Sequence, residues 1–278
     1  MDSCELNAKE IMCIAASLGA TELYGIPDSF GGMSEAALSH EILGVQTTLE
    51  HKGYLKENFD GETSLSGDIL NIVEICAKCE KFIAVDKQLR HSTQEGILFY
   101  IKDAMAVMAV KDGENYKLKV FDTSKISETV FGLINWKNNG AEERYNYRIS
   151  NKTLEKAKKL KTRNADDAAL KELTSAGADA KTAKIIVGGF VGDEDFYSFT
   201  FADLKAETDN VDNIMYIMTA EEIIRLKSIM ENEEDVVYFQ NATKEGILSE
   251  MREMLKNSVS AERCLNNGRY NRNAFVSR

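Results

Sequence analysis

The sequence predicts an α+β fold arranged as a pseudo-twofold repeat around an antiparallel sheet, and three observations predict it. First, the chain gives one order of elements twice. A helical segment closes on Leu49-Glu50-His51-Lys52-Gly53, an apolar segment follows over residues 65–79, then strand-like runs, then a helix over residues 124–134. In the second half a helical segment closes on Leu173-Thr174-Ser175-Ala176-Gly177. A short helix over residues 179–187, more strand-like runs and a helix over residues 243–255 come after it. A repeat of this length means two similar domains or one pseudo-symmetric domain. Second, Asp112-Gly113-Glu114-Asn115 joins two apolar runs, which is a hairpin signal. Third, polar and apolar residues alternate in Tyr116-Lys117-Leu118-Lys119-Val120, so one face of that strand is solvated, as in an antiparallel sheet.

Taken in order, Asn7-Ala8-Lys9-Glu10 reads as a capping box, and Ile11, Ile14, Ala15 and Leu18 continue it as a helical stripe that Gly19 ends. Residues 24–32 form a loop around Pro27, the sole proline. Residues 34–53 are a helix with Leu38, Leu43, Val45 and Leu49 as apolar positions, and residues 59–62 are a turn. Ile69, Ile72, Val73 and Cys76 recur at spacings of three and four, which predicts a helix over residues 66–80. Strands follow at residues 82–85, 97–101, 105–110 and 116–121. Residues 137–149 are polar and irregular and mark the boundary between the halves. Residues 152–163 form a basic helix, with Lys152, Lys156, Lys158, Lys159, Lys161 and Arg163 around a narrow stripe of Leu154, Ala157 and Leu160. Strands are expected at residues 196–201, 214–218 and 236–239, while residues 221–231 suit either a helix or a strand. The expected organisation is an N-terminal half-repeat over residues 1–150, a C-terminal half-repeat sharing the sheet over 151–255, and a polar, loosely held tail over 256–278.

Composition narrows the function. With 44% apolar and 28% charged residues the chain is an ordinary globular one. The net charge of −11 and pI near 5.0 favour basic or apolar partners and disfavour nucleic acid and anionic membranes. No basic n-region followed by an apolar core opens the sequence, and no run approaches the roughly 20 apolar residues of a membrane span. Five scattered cysteines suggest reduced thiols and a cytoplasmic location.

Motifs for chemistry are few. Cys76-Ala77-Lys78-Cys79 has no second pair of zinc ligands and sits at a helix end, unlike a redox site, so Cys76 is expected to be buried and Cys79 partly exposed. Gly188-Gly189-Phe190-Val191-Gly192 lacks the phosphate-loop spacing and reads as a turn. No nucleophile motif accompanies the three histidines. No catalytic residue, cofactor or metal is expected. Residues 34–66 match a winged-helix recognition helix and wing in outline. However, residues 1–80 carry four Lys or Arg against fourteen Asp or Glu, a net charge of −10, which a duplex repels.

The order of elements resembles the EspG family, cytosolic chaperones of type VII (ESX) secretion, in particular a Gram-positive relative. The residues that carry the resemblance are the opening helix over 6–18, the Asp112-Gly113 hairpin within 104–120, and Phe121-Asp122 leading into the helix over 124–134. In the second half they are Leu170 to Gly177 followed by Asp179-Ala180-Lys181-Thr182-Ala183, and the closing strand and helix over 236–255. The resemblance implies a central antiparallel sheet flanked by helical bundles. It also implies a non-enzymatic chaperone or adaptor whose partner is a secreted helical protein, WXG100-like or related. The alternatives are a winged-helix-derived regulator acting through protein contacts and an unrecognised enzyme. A chaperone needs an accessible apolar patch. Phe196, Tyr197, Phe199 and Phe201 lie on both faces of one strand, and Met215, Tyr216 and Met218 lie on another. Alternate residues face opposite ways, so one set belongs in the core, and the other, with the C-terminal helix, is the expected partner-binding surface.

Overall fold

The computed structural model describes residues 2–57, 63–141, 146–205 and 210–259. The expected turn at 59–62 and residues 260–278 of the polar tail lie outside them. The chain divides into two compact units. Unit 1 holds Met1–Ala84, Gly96–Thr129 and Ala202–Asn210, and unit 2 holds Val85–Glu95, Val130–Phe201 and Val211–Arg278.

In unit 1 a short strand, β1 (Ser3–Asn7), runs straight into α1 (Ala8–Ser17). The capping box forms as the sequence predicts. Asn7 Oδ1 accepts from the Glu10 amide at 2.9 Å, and Glu10 Oε2 accepts from the Asn7 amide at 2.7 Å. α2 (Glu35–His51) opens on Ser34, whose hydroxyl accepts from the Ala37 amide. Two short antiparallel strands, β2 (Leu55–Glu57) and β3 (Thr63–Leu65), and then α3 (Gly67–Ala77) follow. Ile69, Ile72, Val73 and Cys76 bury the inner face of α3 against α1 and the sheet. That sheet holds β4 (Lys81–Gln88), β5 (Gln94–Lys102), β6 (Met105–Asp112) and β7 (Asn115–Asp122), in the order β1-β7-β6-β5-β4. The β6–β7 hairpin closes at Asp112↔Asn115 with Gly113 at φ +63°. Tyr116 and Leu118 are buried while Lys117 and Lys119 are exposed, as the alternation predicts. A 3-10 turn, Thr123–Lys125, leads into α4 (Ile126–Gly132).

Unit 2 opens with β8 (Asn146–Ser150), then α5 (Asn151–Thr162), α6 (Asp166–Ser175) and α7 (Ala180–Val191). Four strands follow, β9 (Asp195–Asp203), β10 (Asn210–Met218), β11 (Ile223–Glu231) and β12 (Glu234–Asn241), and then α8 (Lys244–Val259). Strand order is β9-β10-β11-β12-β8. One sheet face meets α5–α7 through Leu154, Ala157, Leu173, Ile186, Ile217, Leu226 and Phe239, all buried. The other meets α8, where Arg225 of β11 pairs with Glu250.

Each half of the chain thus runs strand, three helices, four strands, helix, with β2 and β3 added in the first. In each, the leading strand pairs antiparallel with the last of the four: β1 with β7, and β8 with β12. No helix among the described residues is long and apolar enough to cross a membrane.

Two sequence expectations need correction, and one choice left open is decided. The end of the irregular stretch 137–149 is strand β8, held by pairs such as Tyr147↔Phe239 rather than by its own polar residues. Within residues 221–231, which suit either a helix or a strand, Ile223–Glu231 form strand β11, paired on both sides, so tertiary pairing decides the choice. Residues 188–191 are not a turn, because α7 continues to Val191 and ends on Gly192 at φ +81°. Gly189 serves close packing instead: a Cβ there would lie 2.5 Å from the Ile217 side chain of β10.

Candidate functional site

The structure separates the seven residues expected at the partner surface onto two faces. Tyr197, Phe199 and Phe201, two apart on β9, share one face with Tyr216 and are buried, as is Met218. Their rings stack in a layer. Tyr216 lies 5.0 Å from Tyr197, 6.1 Å from Phe199 and 6.1 Å from Trp136, with interplanar angles of 20°, 12° and 6°. Tyr197 Oη accepts from the Asn135 amide at 3.1 Å, and Lys244 of α8 sits over the Trp136 ring. The opposite face carries Phe196 and Met215, half-buried against the α5–α7 core. Both strand faces are therefore covered. Alternation tells which side chains share a face, not which helix lies on it, so Trp136 had no signal in the sequence.

Above Phe196 lies the helical layer. α5 buries Leu154 and Ala157 and half-buries Leu160, and its cations ring the outside. Lys156 pairs with Glu172 at 2.7 Å, Lys161 reaches Asp166 at 2.7 Å and Asp193 at 3.4 Å, and Lys158 lies over Phe190. Phe190 in turn meets Phe196 at 5.6 Å. The basic helix thus borders apolar side chains that are only partly covered.

The N-terminus of α7 is pinned by Asp179. Its carboxylate accepts from the Lys181 and Thr182 amides at 2.8 and 3.1 Å, from Thr182 Oγ1 at 2.7 Å and from Tyr147 Oη at 2.5 Å. These bonds, the Tyr147 phenol first, hold the carboxyl down at about 2. A depressed pKa adds stability that is present above the ordinary value of 3.8 and is lost as pH falls through about 2. Tyr147→Phe should therefore move the Asp179 titration upward toward 3.8. Carboxyl carbon shifts followed by NMR across pH 2 to 5 read this directly, and an unchanged midpoint would show that Tyr147 is not the main cause.

A cleft of about 300 Å³ opens where α5, α6 and α7 meet the loop after β4. Leu170, Val187 and Gly188 line it beneath a mixed rim of Arg90, His91, Lys161, Lys184, Asp166, Asp193 and Glu194. The loop is fixed from below. Asp195, buried, accepts from the Arg90 amide at 2.7 Å and pairs with Lys137 at 2.8 Å. His91, in a left-handed conformation at φ +57°, donates its amide to the Gly192 carbonyl at 2.8 Å. Its rim offers charges of both signs above an apolar floor. A second groove of about 490 Å³ lies beside Arg225 and Glu250 under α8.

Cys76 is buried and Cys79 half-buried, as the motif analysis expects. Burial pushes the Cys76 thiol well up and the Cys79 thiol to about 12, which opposes the thiolate that ligation or redox exchange requires. Among the described residues no three His, Cys, Asp or Glu side chains gather into a metal-binding group.

No family model matches the chain, and no curated protein matches its sequence. Among solved structures, the fold is similar to that of the Mycobacterium tuberculosis type VII secretion system chaperone EspG5, determined in complex with a PE25-PPE41 dimer. The TM-score is 0.58 at 9% identity, over 94% of this chain and 98% of that one. The chain has an EspG-like fold.

Proposed function

We propose that the chain is a non-enzymatic chaperone or adaptor of type VII secretion that acts in the cytoplasm and holds a secreted helical protein. The observation that carries this reading is the likeness of fold to EspG5 over nearly the whole of both chains. The recurring element order is the basis for taking the two halves as a repeat. In this reading the partner meets the α5–α7 layer. Leu160, Leu170, Phe190 and Phe196 are half-buried there, and Lys152, Lys158, Lys159 and Arg163 are exposed. Apolar contacts bordered by cations suit an amphipathic helix with an acidic flank. Phe196 and Met215 support the layer from beneath, and the buried Tyr197, Phe199, Phe201, Tyr216 and Met218 keep the sheet under it rigid. A second reading, a winged-helix-derived regulator working through protein contacts, draws on the β2–β3 pair that follows α2.

The test is co-expression of the chain with WXG100-like and related small helical secreted proteins. A complex that survives gel filtration is expected with at least one. Lys158→Glu combined with Lys159→Glu should weaken it about tenfold or more while leaving the thermal transition in place. If no such protein binds the unaltered chain, the chaperone reading fails. If the double variant binds at full affinity, the helical layer is not the site.

A further inference from the structure

We propose that α2 is a second docking element, on unit 1, which takes a basic amphipathic helix of a protein partner. Of its seventeen residues only Val45 and Leu49 are buried. Its inner side is held to α1, where Lys9 pairs with Glu41 at 2.6 Å. Its outer side is unusual. At 100° per residue, Glu35, Ser39, Ile42, Leu43, Gln46 and Glu50 fall within an arc of about 100°, and all are exposed. Leu43 is 61% exposed and Ile42 37%. A surface helix ordinarily turns its aliphatic side chains inward and its charges outward. Here the middle of the outer face is apolar and the carboxylates stand at its two ends.

Lys9 and Lys52 already engage Glu41 and Glu10. Glu35 and Glu50 have no ion pair among the described residues. Glu35, in the first turn, suits the positive end of the helix dipole. Glu50, in the last turn, stands against the negative end and weakens the isolated helix. A cation supplied by a partner reverses that penalty. The two carboxylates are fifteen residues apart, about 22 Å along the axis. A partner helix lying alongside α2 matches that span with two Lys or Arg fifteen residues apart and aliphatic residues between them. The net charge of −10 over residues 1–80 steers such a helix toward this face and repels nucleic acid and anionic lipid.

The probes are two synthetic helical peptides with the same Leu-rich central stripe, one ending in Lys pairs and one in Glu pairs, titrated by fluorescence anisotropy into the full chain. The Lys-ended peptide should bind with a Kd on the order of 10 μM and the Glu-ended one about tenfold more weakly. Leu43→Glu should abolish binding. Glu35→Lys with Glu50→Lys should invert the preference between peptides while circular dichroism and the thermal transition stay unchanged. Equal binding of both peptides, or a preference the double reversal leaves in place, overturns the proposal. Two other occupants are excluded by the same set. If removing residues 260–278, with their four arginines, raises peptide affinity, the chain's own C-terminal segment is the occupant and the proposal is wrong. If the chain self-associates and Leu43→Glu makes it monomeric, the occupant is a second copy, which is equally fatal. The Lys158 and Lys159 variants lie in unit 2, so failure here leaves the chaperone reading standing, and the reverse also holds.

Discussion

Tyr216→Ala is expected to lower the stability of unit 2 by about 4 kcal/mol, whereas Tyr216→Phe should leave it unchanged or raise it by about 1 kcal/mol. The ring is fully buried and stacks on Tyr197, Phe199 and Trp136. Its removal leaves a cavity among the rings of Tyr197, Phe199 and Trp136, whose own packing limits collapse into it, and this sets the large cost. The hydroxyl is a different matter. It is buried and has no hydrogen-bond partner among the described residues, so it carries a desolvation cost with no bond to offset it. Deleting only the oxygen removes that cost and keeps the stacking. Equilibrium urea denaturation of the full chain, read by the fluorescence of Trp136, measures both changes. A Phe variant that loses more than about 1 kcal/mol would mean that the hydroxyl is bonded, to water or to a moving side chain.

The same residue illustrates what was legible. Hairpin chemistry at Asp112-Gly113, the Asn7–Glu10 capping box and the three-four spacing of α3 are local signals, and each produced the expected element. What depends on distant partners was not legible. β8 and β11 exist because neighbours complete their ladders, and α7 carries Gly189 because Ile217 needs the space. The aromatic residues of β9 and β10 were visible as a group, but their covers were not. Trp136 is supplied from a stretch without periodicity, and Lys244 from α8 closes over it. Asp179 carries a helix-start signal ahead of α7, so its cap could have been found from the sequence. Asp195 could not, since nothing around it announces a buried carboxylate holding the Arg90 amide across the fold.

Lys52→Met is expected to destabilise unit 1 by about 3 kcal/mol, more than Glu10→Gln, and the double variant should be more stable than Lys52→Met alone. Glu10 is completely buried, yet its Oε2 takes the Asn7 amide at 2.7 Å and Lys52 Nζ at 2.6 Å, while Oε1 has no partner. Lys52 is 31% exposed. The pair is therefore asymmetric. Without Lys52 a carboxylate remains buried beside one amide, and its desolvation is uncompensated. Without the Glu10 charge, Lys52 turns to water, and glutamine at the third helical position still accepts from the Asn7 amide, so the capping box survives. Lys52 also donates to the Glu5 carbonyl at 3.3 Å, and the Glu5 amide donates to Tyr54 Oη at 3.4 Å. The end of α2 is thus tied to β1, and losing the lysine should loosen that tie as well. Hydrogen exchange should show faster exchange of the β1 amides in Lys52→Met but not in Glu10→Gln. A double-mutant cycle completes the measurement by urea denaturation of the four chains. If the double variant is no more stable than Lys52→Met alone, the cost does not come from a stranded buried charge, and the packing of the lysine stem against β1 is its source instead.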